Sequence, residues 1–394
     1  MGAIQEIFRR HGPAYRAEFG EMMPASHARV IDAITDCRSA ASGSVLYQCE
    51  DCGEPHLAAR CCGNRHCPVC QQGKAEQWLC RQLERQLPVA YFMLTFTVPA
   101  PLREFLRRHP REGYAALFAA SSGAIKTLAA DSKHLGADTP GFFGVLHTWG
   151  RQQQYHPHIH YVVPGGGFDS QHGRWHAADR GFFLPVRALS PIFRAKFRDA
   201  MADAGLLGEI DAKVWTVDWN VNCQPVGDAQ ASLKYLSRYV FKVGISEGRI
   251  VRADDAQVVF RYRKVGSSRQ RTMALSPREF IRRFLQHVLP RGFMKVRYFG
   301  FLSPSFSMPI EEVTGAHRVG AGLCAESGAG CPRSLDAGHR DVLPALRRAA
   351  ALVLRIVAPT AGQSRSDACT RGGHKVPCAD QSRRIGVDAH RPVT

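Results

Sequence analysis

The chain of 394 residues is long enough for two or three domains, and its 45% of hydrophobic residues can fill a core, which excludes a disordered or fibrous protein. Its 52 Lys and Arg residues against 34 Asp and Glu residues give a formal charge of +18, so a polyanionic partner is favoured, with nucleic acid as the first candidate. No apolar leader follows Met1 and no apolar stretch is long enough to span a bilayer. We therefore expect no membrane association and a cytoplasmic protein.

Two short helices are predicted over residues 1–36, and a dense group of cysteines follows them. Eight of the 13 cysteines lie in the first 80 residues, and without a secretion signal such thiols are better metal ligands than disulfide partners. Two Cys-x2-Cys knuckles are separated by fourteen residues, a spacing that lets four thiolates surround one structural zinc ion. The predicted zinc ligands are Cys49, Cys52, Cys67 and Cys70.

Further ligand types surround these knuckles. Cys62, with Cys37, His56 and His66 nearby, could replace one ligand or hold a second ion, and the spacing leaves both alternatives open. A series of cations also lies here: Arg60, Arg65, Lys74, Arg81 and Arg85. They suit a DNA-binding zinc module, although solvated charge on a small domain explains them as well.

The remaining elements alternate between helix and strand. A helix is predicted over 71–87, ended by Pro88, and a buried strand follows over 91–98. In chain order, the further predictions are a helix over 101–130, a hairpin of strands 142–149 and 158–163, a helix to about 204, a strand over 213–221, a helix over 232–243, strands over 258–264 and 271–275, and a basic helix over 277–288. This pattern predicts an α+β fold.

The end of the chain has a different composition. Residues 310–394 contain none of the 36 aromatic residues of the chain, which is unfavourable for a packed domain. We therefore expect a poorly ordered tail, with a short helix over 342–357 as the exception. Its cysteines, Cys324, Cys331, Cys369 and Cys378, lack the close spacing of a metal knuckle.

Two histidines lie two residues apart on the second strand of the predicted hairpin. Because side chains alternate along a strand, His158 and His160 share a face and can hold one divalent ion. His147 on the neighbouring strand is the first candidate for a third ligand, and Gln154 and His156 are weaker candidates. The alternative is a pair of hydrogen-bonded surface histidines.

Two tyrosines lie four residues apart on a predicted helix. Tyr235 and Tyr239 therefore project from the same side, next to the cations Lys234, Arg238 and Lys242. A tyrosine stripe often belongs to a core. Beside a two-histidine metal site, however, the pair provides the groups needed for metal-assisted phosphoryl transfer with tyrosine as nucleophile.

Taken together, these motifs resemble a known family. The chain combines Cys-x2-Cys-Gly and Arg-His-Cys-Pro-x-Cys with His-x-His and Tyr-x3-Tyr, and further similarity runs through the segments 235–240, 279–287 and 289–293. The combination is similar to the HUH-type, two-tyrosine transposases of the IS91 insertion-sequence family, over roughly three quarters of the chain.

The resemblance implies a domain order and a chemistry. Residues 1–88 would form a zinc-binding and DNA-binding domain, residues 89–304 an HUH endonuclease domain with a ferredoxin-like antiparallel sheet, and residues 305–394 the tail. The family cleaves and rejoins single-stranded DNA at transposon ends and targets through a 5′-phosphotyrosine. It implies Tyr235 and Tyr239 as nucleophiles, Mg²⁺ or Mn²⁺ on the histidines, and a place in the bacterial cytoplasm at the nucleoid.

Alternative functions stay open at this point. Plasmid replication initiators and conjugative relaxases use the same chemistry, and the residues alone do not separate them from a transposase. A zinc-dependent DNA-binding protein without catalytic activity is the alternative from another class. The tail also departs from the family, which usually has a further cysteine pair near its end.

Overall fold

The computed structural model describes residues 2–48, 52–240, 244–264, 266–308, 310–320 and 355–357. Its helices are α1 (Ala3–Phe19), α2 (Ala25–Asp36), α3 (Gln72–Glu84), α4 (Leu102–Arg108), α5 (Pro110–Ala130), α6 (Val186–Asp203), α7 (Gln230–Val240), α8 (Pro277–Leu285) and α9 (Ile310–Gly320). Its strands are β1 (Ser44–Gln48), β2 (Pro55–Ala59), β3 (Tyr91–Thr97), β4 (Phe142–Trp149), β5 (Tyr155–Pro164), β6 (Gly166–Asp169), β7 (Arg174–Ala177), β8 (Asn220–Pro225), β9 (Ile250–Ala253), β10 (Val258–Arg263), β11 (Gln270–Leu275), β12 (Val296–Phe299) and β13 (Arg355–Val357). Within these ranges, no helix has the length and apolar character needed to cross a bilayer.

A five-stranded antiparallel sheet forms the centre of the molecule, in the order β12-β4-β5-β3-β8. With α5 between β3 and β4, and α6 between β5 and β8, four of its strands follow the β-α-β-β-α-β order of ferredoxin-like folds. Strand β12 extends this unit at one edge. The predicted α+β class is confirmed, and β5, the strand with two histidines, is the middle strand of the sheet.

The two faces of the sheet pack against different helices. On one face, alternate side chains such as Phe96 and Ile159 form a core with α4, α5 and α6. On the other face, Val145 and Val162 pack against Leu236 of α7 and against α3 of the N-terminal region. The histidines at odd positions of β4 and even positions of β5 share this second face, so they point towards α7.

A second core joins the N-terminal helices to a later part of the chain. Phe8 of α1 contacts Phe284 of α8 with ring centroids 5.0 Å apart, and Phe260 of β10 belongs to the same buried cluster. The three-stranded sheet β11-β10-β9 covers this cluster from one side. The cysteine-rich region is therefore fixed to the segment that follows α7.

One predicted strand, over 213–221, is wrong in its bounds. Residues Ala212–Trp215 form a 3-10 turn, which begins where the Asp211 carboxylate accepts a hydrogen bond from the backbone N–H of Lys213 (2.9 Å). Strand β8 begins only at Asn220. Val214 of the turn and Trp219 before β8 are buried in the core beside α6, whereas Val217 between them is exposed, so the segment does not bury alternate residues on one face as a strand would.

The described part of the tail contains two elements. Helix α9 packs against β7, with Val313 buried and the ring of His317 lying 5.5 Å from that of Trp175. The first part of the segment predicted as a tail therefore forms a helix, in which one aliphatic and one histidine side chain make contacts to the rest of the molecule. Of the predicted helix over 342–357, residues 342–354 lie outside the described residues, and 355–357 form strand β13 paired with β1.

Candidate catalytic site and zinc-binding cluster

Three histidines meet on the α7 side of the central sheet. His158 and His160 share a face of β5, and the antiparallel register places His147 of β4 directly opposite His158. The potential ligand atoms of the three side chains all lie within 4.8 Å of one another. The regular geometry of two paired strands therefore brings together the predicted pair and its first candidate for a third ligand.

Hydrogen bonds fix the direction of the two histidines on β5. Nδ1 of His158 donates to the backbone carbonyl of His156 (2.7 Å), so Nε2 of His158 has a free lone pair. Nδ1 of His160 is hydrogen-bonded to Oγ1 of Thr95 (2.9 Å), and the two Nε2 atoms lie 3.1 Å apart. Nε2 of His147 is buried without a hydrogen-bond partner among the described residues. Imidazoles held at Nδ1 with Nε2 directed inward are typical of metal ligands.

The protonation states of these histidines also fit metal binding. Burial, followed by the neighbouring imidazoles, holds the pKa of His147 and of His158 well below the ordinary value. Burial lowers the pKa of His160 to about 4. The three side chains are therefore neutral near pH 7, which is the state in which imidazole binds a divalent ion.

The weaker ligand candidates lie outside the group that could share an ion. Oε1 of Gln154 accepts a hydrogen bond from the backbone N–H of Gln152 (3.0 Å), so this side chain supports the β4–β5 turn. The ring of His156 lies 5.2 Å from that of His158, but its nitrogens are not among the clustered ligand atoms. Both results favour His147 as the third ligand.

Two phenols lie against the histidines. Leu233 and Leu236 of α7 are buried against the sheet, which brings Tyr235 and Tyr239 over β4 and β5 with their ring centroids 5.2 Å apart. The ring of His147 lies 6.4 Å from that of Tyr235 and 5.7 Å from that of Tyr239. Tyr235 is 43% exposed, so its side chain is accessible from the solvent. The structure thus joins the tyrosine pair and the histidine cluster in one site.

The cations beside these phenols come from other parts of the chain than we expected. The pKa of Tyr235 lies above its ordinary value, because burial and the neighbouring Tyr239 raise it by more than the charges of Arg151 and Arg249 lower it. The expected cations Lys234 and Arg238 of α7 are exposed, and Lys242 lies outside the described residues. Arg151 belongs to the β4–β5 turn and Arg249 to a short 3-10 turn, where the sequence contains no signal apart from the positive charge.

Arg249 is held in place by three backbone carbonyls. Its Nε donates to Arg261 (2.8 Å), its Nη1 to Gly244 (3.3 Å) and its Nη2 to Arg151 (2.7 Å), and its side chain also interacts with the phenol of Tyr239. A guanidinium in this position favours a phenolate on α7.

A buried lysine supports the same site from the β12 edge. Nζ of Lys295 donates to the backbone carbonyl of Tyr239 (2.5 Å) and lies 4.5 Å from the centre of the Trp149 ring. Trp149 in turn stacks on His147, with centroids 4.6 Å apart and planes 21° apart. Burial holds the pKa of Lys295 well below its ordinary value. The tyrosine helix and His147 are therefore connected through two side chains, those of Lys295 and Trp149, that we had not predicted to take part in the site.

A second cluster lies in the N-terminal region and consists of four cysteines, Cys37, Cys62, Cys67 and Cys70, whose sulfurs lie within 4.8 Å of one another. Sγ of Cys70 is 3.3 Å from that of Cys37 and 3.6 Å from that of Cys62. Hydrogen bonds from Cys62 and Cys67 lower the pKa of Cys37 to about 7. Four thiolates at this separation fit one tetrahedral zinc ion and leave no open coordination position.

This cluster differs from the predicted ligand set at the first knuckle. Cys52 is exposed and outside the cluster, and Cys49 lies outside the described residues. The reason is the β1–β2 hairpin, whose strands pair from Ser44 with Ala59 at its base to Gln48 with Pro55, so that Cys52 lies in the chain between the far ends of the two strands. Cys37 and Cys62 flank the base of the hairpin instead, where the N–H of Arg38 donates to the carbonyl of Arg60 (3.0 Å).

The comparisons with known proteins give family matches that span the residues of both clusters. Residues 7–98 match the family "Transposase zinc-binding domain", and residues 141–308 match the family "Putative transposase". The chain is 40% identical over 320 residues to "Putative transposase y4qJ" of Sinorhizobium fredii, which covers 76% of this chain and 80% of that protein. The chain belongs to the IS91 family of transposases. The transposase is also 29% identical over 286 residues, 68% of each chain, to "Transposase for insertion sequence element IS801" of Pseudomonas savastanoi pv. phaseolicola. No solved structure matches it.

The zinc-binding domain of the transposase is attached to the central sheet by polar contacts. Nη1 of Arg65 donates to the carbonyl of Phe293 (2.7 Å), and Nε1 of Trp78 donates to the hydroxyl of Tyr298 (2.9 Å). Part of the positive charge near the cysteines therefore has a structural role. The family match and the four-cysteine cluster together support a structural zinc ion in this domain.

Proposed function

We propose that this transposase nicks and rejoins single-stranded DNA by tyrosine transesterification during rolling-circle transposition, at the ends of its element and in the target. The observation that carries the proposal is the shared site, in which three neutral imidazoles, each buried or partly buried, and two phenols converge on one face of the sheet. Tyr235 and Tyr239 are the nucleophiles in this proposal, and His147, His158 and His160 are the metal ligands.

The residues of the chain supply the nucleophile and its activation. The phenol oxygen attacks the scissile phosphorus, the bond from phosphorus to the 3′ oxygen breaks, and that oxygen leaves as a hydroxyl after taking up a proton. The 5′ phosphate stays on the tyrosine. Because a phenol is mostly protonated at neutral pH, the charges of Arg151 and Arg249 favour its loss of a proton. Rejoining is the reverse attack by another 3′ hydroxyl, so no high-energy cofactor is consumed.

A divalent ion on the three histidines, Mg²⁺ or Mn²⁺, would polarise the scissile phosphate and stabilise charge on its oxygens. The donor set bears on the choice of ion, because Mg²⁺ strongly prefers oxygen ligands whereas transition metals accept imidazole nitrogen. We therefore expect Mn²⁺ to support the reaction at a lower concentration than Mg²⁺.

For the zinc-binding domain, we assign one structural zinc ion to Cys37, Cys62, Cys67 and Cys70. The four sulfurs are close enough to share one ion, and the cluster is partly buried beside α2. Thiolates fill all four positions, so this ion takes no part in the chemistry.

The alternatives differ in the DNA on which they act. A plasmid replication initiator or a relaxase would use the same site, but the relatives named transposases favour transposition. A DNA-binding protein without catalysis would leave the three imidazoles without a role. Action on chromosomal insertion sites places the proposed activity in the cytoplasm, at the nucleoid.

The proposal is tested with single-stranded oligonucleotides that span the junctions between the element and its flanking DNA. We expect a covalent protein–DNA adduct on a denaturing gel with the parent protein, and none with the Tyr235→Phe, Tyr239→Phe double variant. Tyr47→Phe, in the β1–β2 hairpin, is the matched control and should retain the adduct. Adduct formation at the parental rate in the double variant would refute the proposal.

A further inference from the structure

The three-stranded sheet β9–β11 contains a high density of positive charge. Residues 249–271 include seven Lys and Arg residues and only two acidic residues. Among the described residues, Asp254 pairs with Arg252 (3.1 Å), and Asp255 lies in the same turn and faces Arg10 of α1 (3.5 Å). The acidic charge is therefore confined to the β9–β10 turn, at one end of the sheet.

The strand register separates the two sides of this sheet. Val258 and Phe260 of β10 are buried against α1 and α8, so the intervening residues form the opposite side. We call this side the arginine face; it consists of Arg252, Val259, Arg261, Arg263, Gln270, Thr272 and Ala274. Its three arginines are exposed, and it contains no acidic residue. Arg261 and Arg263 make no ion pair with any described residue.

The arginine face leads directly to the proposed nucleophiles. Nη1 of Arg151 donates to the carbonyls of Arg263 (3.3 Å) and Lys264 (3.4 Å), at the end of β10. Arg249 joins the carbonyl of Arg261 to the phenol of Tyr239. A line of positive charge therefore continues from β10 through the two arginines to α7.

We propose that the arginine face binds the phosphates of the single DNA strand that flanks the scissile bond and guides that strand to Tyr235 and Tyr239. Arginines two residues apart on a strand are about 6.8 Å apart. This distance equals about two nucleotide steps along the axis of a stacked single strand. The face offers one row of cations outside ion pairs, because β11 contributes only neutral residues beside it and Arg252 of β9 pairs with Asp254. A duplex would require a second row about one groove width away, roughly 12 Å.

The inference rests on the proposed function for the position of the scissile bond, but binding tests it separately. The proteins are the parent, the Arg261→Gln, Arg263→Gln variant, and a control that also loses two charges, Arg174→Gln, Arg180→Gln. Both control residues are exposed and lie on or just after β7, beyond the end of β5 that is remote from His158. The probes are a thirty-nucleotide oligo(dT) strand and a blunt duplex of about the same length, titrated by fluorescence anisotropy at several salt concentrations.

We expect the β10 variant to bind oligo(dT) about tenfold more weakly than the parent, with a salt slope smaller by about 1.4, since each lost phosphate contact removes ~0.7 for single strands. The control variant should match the parent, and duplex binding should change less than oligo(dT) binding. An equal loss in the control, an unchanged salt slope, or a loss confined to duplex would overturn the proposal.

A second measurement links the surface to the chemistry. On element-end strands with a long flank, adduct formation by the β10 variant at limiting DNA should fall about tenfold, and shortening the flank to two nucleotides should abolish the difference from the parent. An equal deficit on both strands would contradict a binding track. If the parent forms no tyrosine adduct on any strand, the proposed function fails, whereas the oligo(dT) titrations still decide the role of the arginine face.

Discussion

The candidate catalytic site and the cysteine cluster could each hold a metal ion, but they are built in different ways. The histidines lie on two paired strands and the tyrosines on one helix, so their side chains meet through regular periodicity. The four cysteines lie in irregular segments around the base of a hairpin. In helices and strands, the spacing of residues in the sequence determines which side chains lie together. In the loops, the spacing of the Cys-x2-Cys motifs did not reveal which thiols meet.

The largest expected effect is the loss of zinc, which distinguishes the observed cysteine cluster from the predicted pair of knuckles. Cys37→Ser and Cys62→Ser should each lower bound zinc from about one ion per chain towards zero and unfold the N-terminal region, because structural zinc contributes roughly 10 kcal/mol or more to folding in small domains. Cys52→Ser should keep its zinc. Elemental analysis and thermal unfolding measure both effects. Zinc loss in Cys52→Ser with full retention in Cys37→Ser would restore the two-knuckle assignment.

The next largest effect concerns the histidine cluster. Replacing His158 and His160 by Ala should reduce adduct formation about a hundredfold or more, since charge stabilisation at the phosphate is lost. Zinc content and affinity for single-stranded DNA should stay at the parental level. If the double variant lost zinc instead, the two centres would not be independent, and the comparison would fail.

The positions of side chains on strands and helices could be predicted from the sequence, whereas those of side chains in turns could not. The strand alternation at His158 and His160, the neighbouring His147 and the four-residue spacing of the tyrosines all placed side chains that the structure brings together. The cations Arg151 and Arg249 come from turns, and Lys295 precedes an edge strand, so no periodicity pointed to them. Long-range packing decided their positions, as it did for the cysteines.

A third prediction tests the contact that joins α8 to the β4–β5 turn of the central sheet. His287 is buried after α8, where its Nε2 donates to the carbonyl of Gln153 (3.2 Å) in the β4–β5 turn, and burial lowers its pKa to about 3. Below pH 6.5 the histidine of the unfolded chain therefore binds a proton that the folded chain excludes. As the pH decreases, the free energy of unfolding falls by ~1.4 kcal/mol for each pH unit. Between pH 7 and 5 the parent should lose ~2 kcal/mol more than His287→Gln, measured by denaturant unfolding. Identical pH dependence would contradict the buried, neutral state.

The smallest expected effect concerns nucleophile activation. Arg249→Gln removes a charge that lowers the pKa of Tyr235, so less phenolate forms at neutral pH. Adduct formation should slow about tenfold for each unit by which that pKa rises, and the rising limb of the pH–rate profile should move to higher pH. Arg249→Lys should recover part of the rate, and the exposed Arg238→Gln should behave as the parent. A lower rate without a shift of the profile would assign Arg249 a purely structural role.

The most direct test of the central claim is the position of the covalent bond to DNA. Trypsin cuts after Lys234, Arg238 and Lys242, so Tyr235 and Tyr239 fall on separate four-residue peptides. After reaction with a suicide oligonucleotide, nuclease digestion and mass spectrometry, we predict a nucleotide on one or both of these peptides, attached through a 5′ phosphate. A nucleotide found reproducibly on any other peptide, with both of these unmodified, would contradict the account.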